Sequence, residues 1–266
     1  MNYLYLNFNP LIINIIIFFE IYVKIGILMK DYKLEYAVER ELKVLRHNFT
    51  LLAEEDGVAS CDVVLTDYLK GRNCIICHDT MECIRKLRAY FYGKKVFSKI
   101  IVGIDPGPKP GIAVIGDGNV VEEIQLSHIG EVRRVVDDIK LGYGAEHFIV
   151  RIGDGDIVNR NKIVNSLVDS YRVEIVNERN TSESITNRNV ESAKVIAFTR
   201  GRIVREPLNI VVRDGYLREI QRKSRIESGG ELTISRNLAR KVALGDLTLD
   251  EAIDIARNKN GKGKGN

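Results

Sequence analysis

Between residues 99 and 126 three short apolar runs follow one another almost without a gap, and nothing else in the chain constrains its folding as strongly. The first, residues 100–104, is rich in β-branched side chains and closes on Asp105-Pro106-Gly107; residues 111–115 and 120–126 follow, joined by Gly116-Asp117-Gly118-Asn119. Runs joined this closely read as an antiparallel meander. The apolar spacing then alternates in type. It is helical over 131–141, strand-like over 147–152 ending in Gly153-Asp154-Gly155-Asp156, helical over 158–171, strand-like over 173–176 ending in Asn177-Glu178-Arg179, and helical over 190–199. The predicted order is β-β-β-α-β-α-β-α.

Helical crossovers make the strands ending at 104, 152 and 176 parallel members of one sheet. Their C-terminal ends then share an edge, which is where open α/β sheets place their chemistry. Asp105, Asp154 and Glu178 stand there, each within two residues of its strand's end. Three carboxylates in one cleft repel each other unless cations compensate, and Mg2+ or Mn2+ prefer such oxygen ligands. For phosphodiester cleavage two such ions sit about 3.5–4 Å apart. Each acid also has a plainer reading. Asp-Pro-Gly and Gly-Asp-Gly are turn sequences, Asp156 fits a helix N-cap, Asn-Glu-Arg fits an exposed ion-paired turn, and Glu191 fits a first-turn acid favoured by the helix dipole.

The segment Ile-Val-Gly-Ile-Asp105-Pro-Gly-Pro-Lys109-Pro-Gly111-Ile-Ala-Val, the element order, and Asn177-Glu178-Arg179-Asn180-Thr181-Ser182 together resemble the RNase H-like superfamily. Within it the resemblance is to the Holliday-junction resolvases of the RuvC type and their YqgF relatives, over roughly residues 99–202. It implies an RNase H-like mixed sheet, a divalent metal, one ion or two, and hydrolysis of phosphodiester bonds in structured DNA or RNA. Asp105 matches the first-strand metal aspartate. Glu178 stands where YqgF-type proteins have the glutamate of Asp-Glu-Arg-Leu-Thr-Ser, with Asn177 in place of Asp and Asn180 in place of Leu. Asp154 lies close to where RuvC-type enzymes place a glutamate. The last-helix pattern Asp-x-x-Ala-Ala aligns with Asn189-Val-Glu191-Ser192-Ala193, so the expected acid is Asn189, which offers a metal a carbonyl oxygen but no charge, and Glu191 is the substitute from the same turn. The alternative this leaves open is a nucleic-acid-binding protein of the same fold without cleavage.

Actin-like ATPases also begin with an Asp-x-Gly hairpin, but they need a duplicated domain for which this chain has no room. No Gly-x-x-x-x-Gly-Lys-Ser/Thr loop is present, so a P-loop nucleotide site is excluded. No small-molecule cofactor is expected.

The flanks divide the rest of the chain. Residues 31–97 read as a small α/β domain before an RNase H-like domain over 98–212. It contains Cys74-Ile-Ile-Cys77-His78, which as a string fits half a zinc site with Cys61 or Cys83, or small core residues on a buried strand. Residues 1–30 draw 24 of 30 positions from Ile, Leu, Asn, Phe, Tyr and Lys. Asn14, Glu20 and Lys24 interrupt any membrane span there, and each charge costs roughly 2.5–3.5 kcal/mol near a bilayer centre, so the segment reads as dispensable sequence ahead of a start at Met29. The four cysteines make no disulfide framework in a chain of 266 residues, and a cytoplasmic, non-membrane protein is expected.

Charge is nearly balanced, with 40 Lys+Arg against 36 Asp+Glu, but residues 198–266 hold 15 basic and 9 acidic side chains. Residues 213–258 read as a basic helical region and 259–266 as a Gly/Lys-rich tail. Arg218, Arg222, Lys223, Arg225, Arg236, Arg240 and Lys241, with Lys109 and Arg179 nearer the strand edge, are the candidate phosphate contacts. A solvated helix face is the plain alternative. A homodimer is compatible with all of this.

Overall fold

The computed structural model describes residues 23–177 and 188–262. It is an α/β structure with two sheets. The first sheet takes β1 (Ile25–Leu28), α1 (Tyr32–Val44), β2 (Phe49–Leu51), β3 (Val63–Thr66), β4 (Cys74–Ile76) and α2 (Thr80–Phe91). Its strand order is β2-β1-β3-β4, and every pair is parallel. Val38 and Leu42 from α1, and Cys83, Ile84, Leu87 and Phe91 from α2, close over Ile25, Ile27, Val63 and Leu65 to make one core.

Here the expectation for residues 1–30 needs correction. Residues 25–28 are not a dispensable leader or part of a membrane helix but the strand on which the sheet is built: Ile25 pairs with both Phe49 and Val63, and Ile27 is 0% exposed. A strand buried on both faces reads as a continuous apolar run, which is why composition hid it. Among the described residues no helix is long and apolar enough to cross a membrane.

The second sheet is built from β5 (Phe97–Asp105), β6 (Gly111–Gly116), β7 (Asn119–Gln125), β8 (Ala145–Gly153), β9 (Arg172–Val176) and β10 (Arg202–Val204), with α3 (Val132–Tyr143), α4 (Ile157–Leu167) and α5 (Arg188–Phe198) between them. The order of elements up to α5 is the predicted one. Strand order is β10-β9-β8-β5-β6-β7, with β10 antiparallel to β9. The edge strand beside β9 is thus formed by residues 202–204 and not by the more apolar stretch 209–212. Residues 208 and 209 are bound by side chains: Asn161 Nδ2 donates to Asn209 O at 2.8 Å, and Asn165 exchanges bonds with Leu208 O and N at 2.9 and 2.6 Å.

By compactness the chain forms two units, and the division passes through the long strands of the second sheet. One unit comprises Met1–Val102, Ala113–Glu123 and Arg133–Ile149; the other comprises Gly103–Ile112, Ile124–Val132 and Val150–Asn266. The second unit ends in three helices, α6 (Asp214–Glu227), α7 (Arg236–Leu244) and α8 (Leu249–Lys262). The expected basic tail is thus a bundle with its own core, formed by Leu217, Ile220, Ile234, Leu238, Ala239, Ala243, Ala252 and Ile253. A capping box opens the last helix: Glu251 N donates to Thr248 Oγ1 at 3.2 Å and Thr248 N to Glu251 Oε2 at 2.8 Å.

Candidate functional site

The candidate site lies in the second unit, at the ends of neighbouring strands. β5, β8 and β9 are adjacent in the sheet, and the helical connections between β7 and β8 and between β8 and β9 give them one direction. Asp105 is the last residue of β5, Asp154 follows the last residue of β8, and Asn177 follows the last residue of β9. Asp105 and Asp154 are half-buried. Glu178 and Arg179, the next candidates along the chain, lie outside the described residues.

The helix α5 approaches this edge with no side chain in between. A Cβ added to Gly103 would stand 2.1 Å from Ala193 O, and one added to Gly111 would stand 2.2 Å from Asn189 O. Only glycine lets the two backbones come this close. The first turn of α5 therefore sits against the β5–β6 loop, and Asn189 Nδ2 donates to Lys109 O at 2.8 Å. Glu191, the expected substitute acid, is ion-paired on its own helix with Lys194 at 2.6 Å. Asp156 is an N-cap, accepting from Asn159 N at 3.0 Å.

Among the described residues no three His, Cys, Asp or Glu side chains group so as to hold a metal ion. The expected ligand set, for one ion or two, was Asp105, Asp154, Glu178, Glu191 and Asn189, of which Glu178 lies outside the described residues. Asn189 and Glu191 have the protein partners just named, and Asp105 and Asp154 are the two carboxylates at the strand ends among the described residues. That donor set fits one Mg2+ or Mn2+, since Mg2+ is usually held by one or two carboxylates and otherwise by water and substrate phosphate. The cysteines likewise form no zinc site: Cys77 and Cys83 are bonded to each other, because the first turn of α2 brings their Cα atoms to 4.8 Å, and both are buried in the first core.

Sequence reasoning missed the buried ion pair beneath α5. Arg151 on β8 donates from Nε to Glu174 Oε2 on β9 at 3.0 Å and from Nη1 to Ala197 O at 2.6 Å, tying the C-terminal end of α5 to the sheet. Arg172 adds a second cation to Glu174 at 2.8 Å. Burial pushes the Glu174 carboxyl up, but the hydrogen bonds from Arg151 and Arg172 outweigh it and hold it below its ordinary value. An Arg and a Glu each inside an apolar strand, at positions 151 and 174, were the available signal.

The three-helix bundle is docked on α4. Lys162 Nζ donates to Ala243 O at the end of α7, and burial lowers its pKa against the opposing pull of Asp156 and Asp246. Burial likewise pushes the Tyr216 hydroxyl up to about 12, against a hydrogen bond with Asn159. The candidate cations divide into two groups. Lys223 pairs with Glu219 at 3.4 Å, and Arg236 pairs with Asp214. Arg218, Arg222, Arg225, Arg240 and Lys241 are exposed and make no salt bridge among the described residues. The first three follow the i, i+4, i+7 spacing of a single stripe on α6, one or two residues beyond the buried Leu217, Ile220 and Ser224. These helices match one known family, described as a three-helical bundle domain, over residues 214–258. No curated protein matches the chain.

Proposed function

We propose that this chain is a structure-selective nuclease on an RNase H-like fold of the RuvC/YqgF type, hydrolysing a phosphodiester bond of branched DNA or structured RNA with a single divalent ion. The observation that carries the reading is the placement of Asp105 and Asp154 at the ends of adjacent strands, Asp105 opening the β5–β6 loop that ends at Gly111 against the first turn of α5. The β-β-β-α-β-α-β-α order and the Asp105-Pro-Gly segment support it. A bound Mg2+ or Mn2+ would supply positive charge at the scissile phosphate. Asp105 and Asp154 hold that ion, Lys109, exposed on the adjoining loop, meets the phosphate backbone, and the Arg218-Arg222-Arg225 stripe grips duplex phosphates further along.

A second reading, binding of structured nucleic acid without cleavage, is favoured by the Glu191–Lys194 pair and by the hydrogen-bonded Asn189, which leave the last helix without a carboxylate for the site. One experiment separates the two. The full chain and its Asp105→Asn variant are incubated in Mg2+ or Mn2+ with one four-way DNA junction and one structured RNA. Cleavage by the wild type that Asp105→Asn abolishes while binding persists is the expected result. Activity indifferent to Asp105→Asn overturns the nuclease, and tight binding with no cleavage by either protein selects the second reading.

A further inference from the structure

Two side-chain amides converge on one backbone oxygen in the loop that follows Asp105. Asn189 Nδ2, from the first turn of α5, and Gln125 Nε2, from the end of β7, each donate to Lys109 O at 2.8 Å. Gln125 Nε2 also reaches Pro110 O at 3.1 Å, and Leu126 N donates to Pro110 O at 2.9 Å. A carbonyl oxygen accepts and cannot donate, so only the NH2 end of each amide can face it. The loop has prolines at 106, 108 and 110, which supply no N–H of their own, and its carbonyls are the groups by which neighbours can hold it.

We infer that Asn189 and Gln125 form a two-amide clamp on the Lys109 carbonyl and are positioning residues for the loop that runs from Asp105 to Gly111. Asn189 acts in this clamp through its nitrogen, as a donor to the protein. That the loop carries a metal-holding Asp105 rests on the function proposed above; the clamp does not. A carboxylate at position 189 has no hydrogen to give at neutral pH and sets negative charge against an oxygen. Restoring an acid to the start of α5 therefore opens the loop instead of completing the site.

The test uses the full chain with Asn189→Asp, Asn189→Ala and Gln125→Glu, the last at an exposed position that tolerates change. The first readout is protection of the Leu126 amide against hydrogen exchange, corrected for its intrinsic rate. Asn189→Asp is expected to lose about tenfold in protection at neutral pH and to regain it near pH ~4, where the protonated acid donates again. Asn189→Ala loses protection at both pH values, and Gln125→Glu repeats the reversible loss. Charged groups on the elements packed against position 189 are Asp105 and Lys109 of the loop and Arg188, Glu191 and Lys194 of α5, the last two paired with each other. Protection unchanged in Asn189→Asp and Gln125→Glu at neutral pH, or a loss that pH does not reverse, overturns the clamp. The second readout is Mn2+ binding by calorimetry, expected to weaken in Asn189→Asp. Absence of Mn2+ binding in the wild type overturns the proposed nuclease while leaving the exchange result to decide the clamp.

Discussion

Arg85 on α2 grips Glu122 on β7 with both ends of its fork, Nε to Oε2 at 2.9 Å and Nη2 to Oε1 at 3.3 Å, and each side chain is only 4% exposed. Arg88 approaches the same carboxylate at 3.3 Å, and the Tyr143 hydroxyl donates to Val121 O beside it at 3.4 Å. This is the polar seam by which α2, having covered the first core with one face, meets the second sheet with the other.

Removing the carboxylate leaves the buried Arg85 and the partly buried Arg88 without a counter-charge. Glu122→Gln is expected to destabilise the protein by about 3–5 kcal/mol, the usual cost of breaking a buried pair from one side. Replacing Arg85 and Glu122 together by Met and Leu should cost much less. Urea unfolding of the three proteins checks this, and a double variant as unstable as Glu122→Gln would refute it.

Because β1 supplies the partner of both β2 and β3, a chain begun at Met29 should not fold its first sheet. A chain begun at Val23 keeps every residue of that sheet and should. Circular dichroism and soluble yield distinguish them, and a folded, soluble Met29 chain would contradict the assignment of β1 as the organising strand.

The Glu174 carboxyl is held below its ordinary value of 4.5, so its contribution to stability is present above that value and is lost as pH falls through the lower, folded-state value. Thermal melts should show stability declining below pH ~4.5. Glu174→Gln should remove part of that acid limb while lowering stability at neutral pH, because it strands Arg151. An acid limb identical in the two proteins would show that other carboxylates govern it.

If the α6 stripe contacts phosphates, changing Arg218, Arg222 and Arg225 to Gln should reduce the slope of log affinity against log salt by about 2–3 for duplex nucleic acid, near 0.9 per phosphate. The three residues are exposed, so unfolding should be altered by no more than ~0.5 kcal/mol. An unchanged slope would assign the stripe to solvent.

How far the sequence discloses this structure depends on the range of the interactions involved. The meander and the alternation after it are local: Ile100, Val102 and Ile104 carry their pattern within five residues, and the turn glycines and Asp105 mark where it stops. The edge that gathers Asp105 and Asp154 follows from crossover geometry alone. The pairs Arg85–Glu122 and Arg151–Glu174 join residues 37 and 23 positions apart, and while a charge inside an apolar strand hints at burial, the local pattern does not name its partner. The role of Asn189 was hidden for a related reason. Alignment places it where an acid is expected, but its partner is a main-chain oxygen 80 residues earlier, and a carbonyl has no residue type to read. Apolar pattern does not locate β10 either: Asn209–Val212 is the more apolar stretch, whereas Arg202–Val204 is the one that lies alongside Val173–Ile175.

The parallel order of the first sheet also bears on how the protein is made. β1 leaves the ribosome before the strands it pairs with, and its partner β3 begins only at Val63. Ile25, Ile27, Leu28 and Met29, all buried at the end, are therefore committed to partners that do not yet exist. Non-local parallel pairing is slow and leaves apolar surface open to intermolecular contact. During that interval the nascent chain is a client for whatever shields hydrophobic segments in the cell, and its yield on expression depends on how quickly the stretch from Phe49 to Thr66 is delivered.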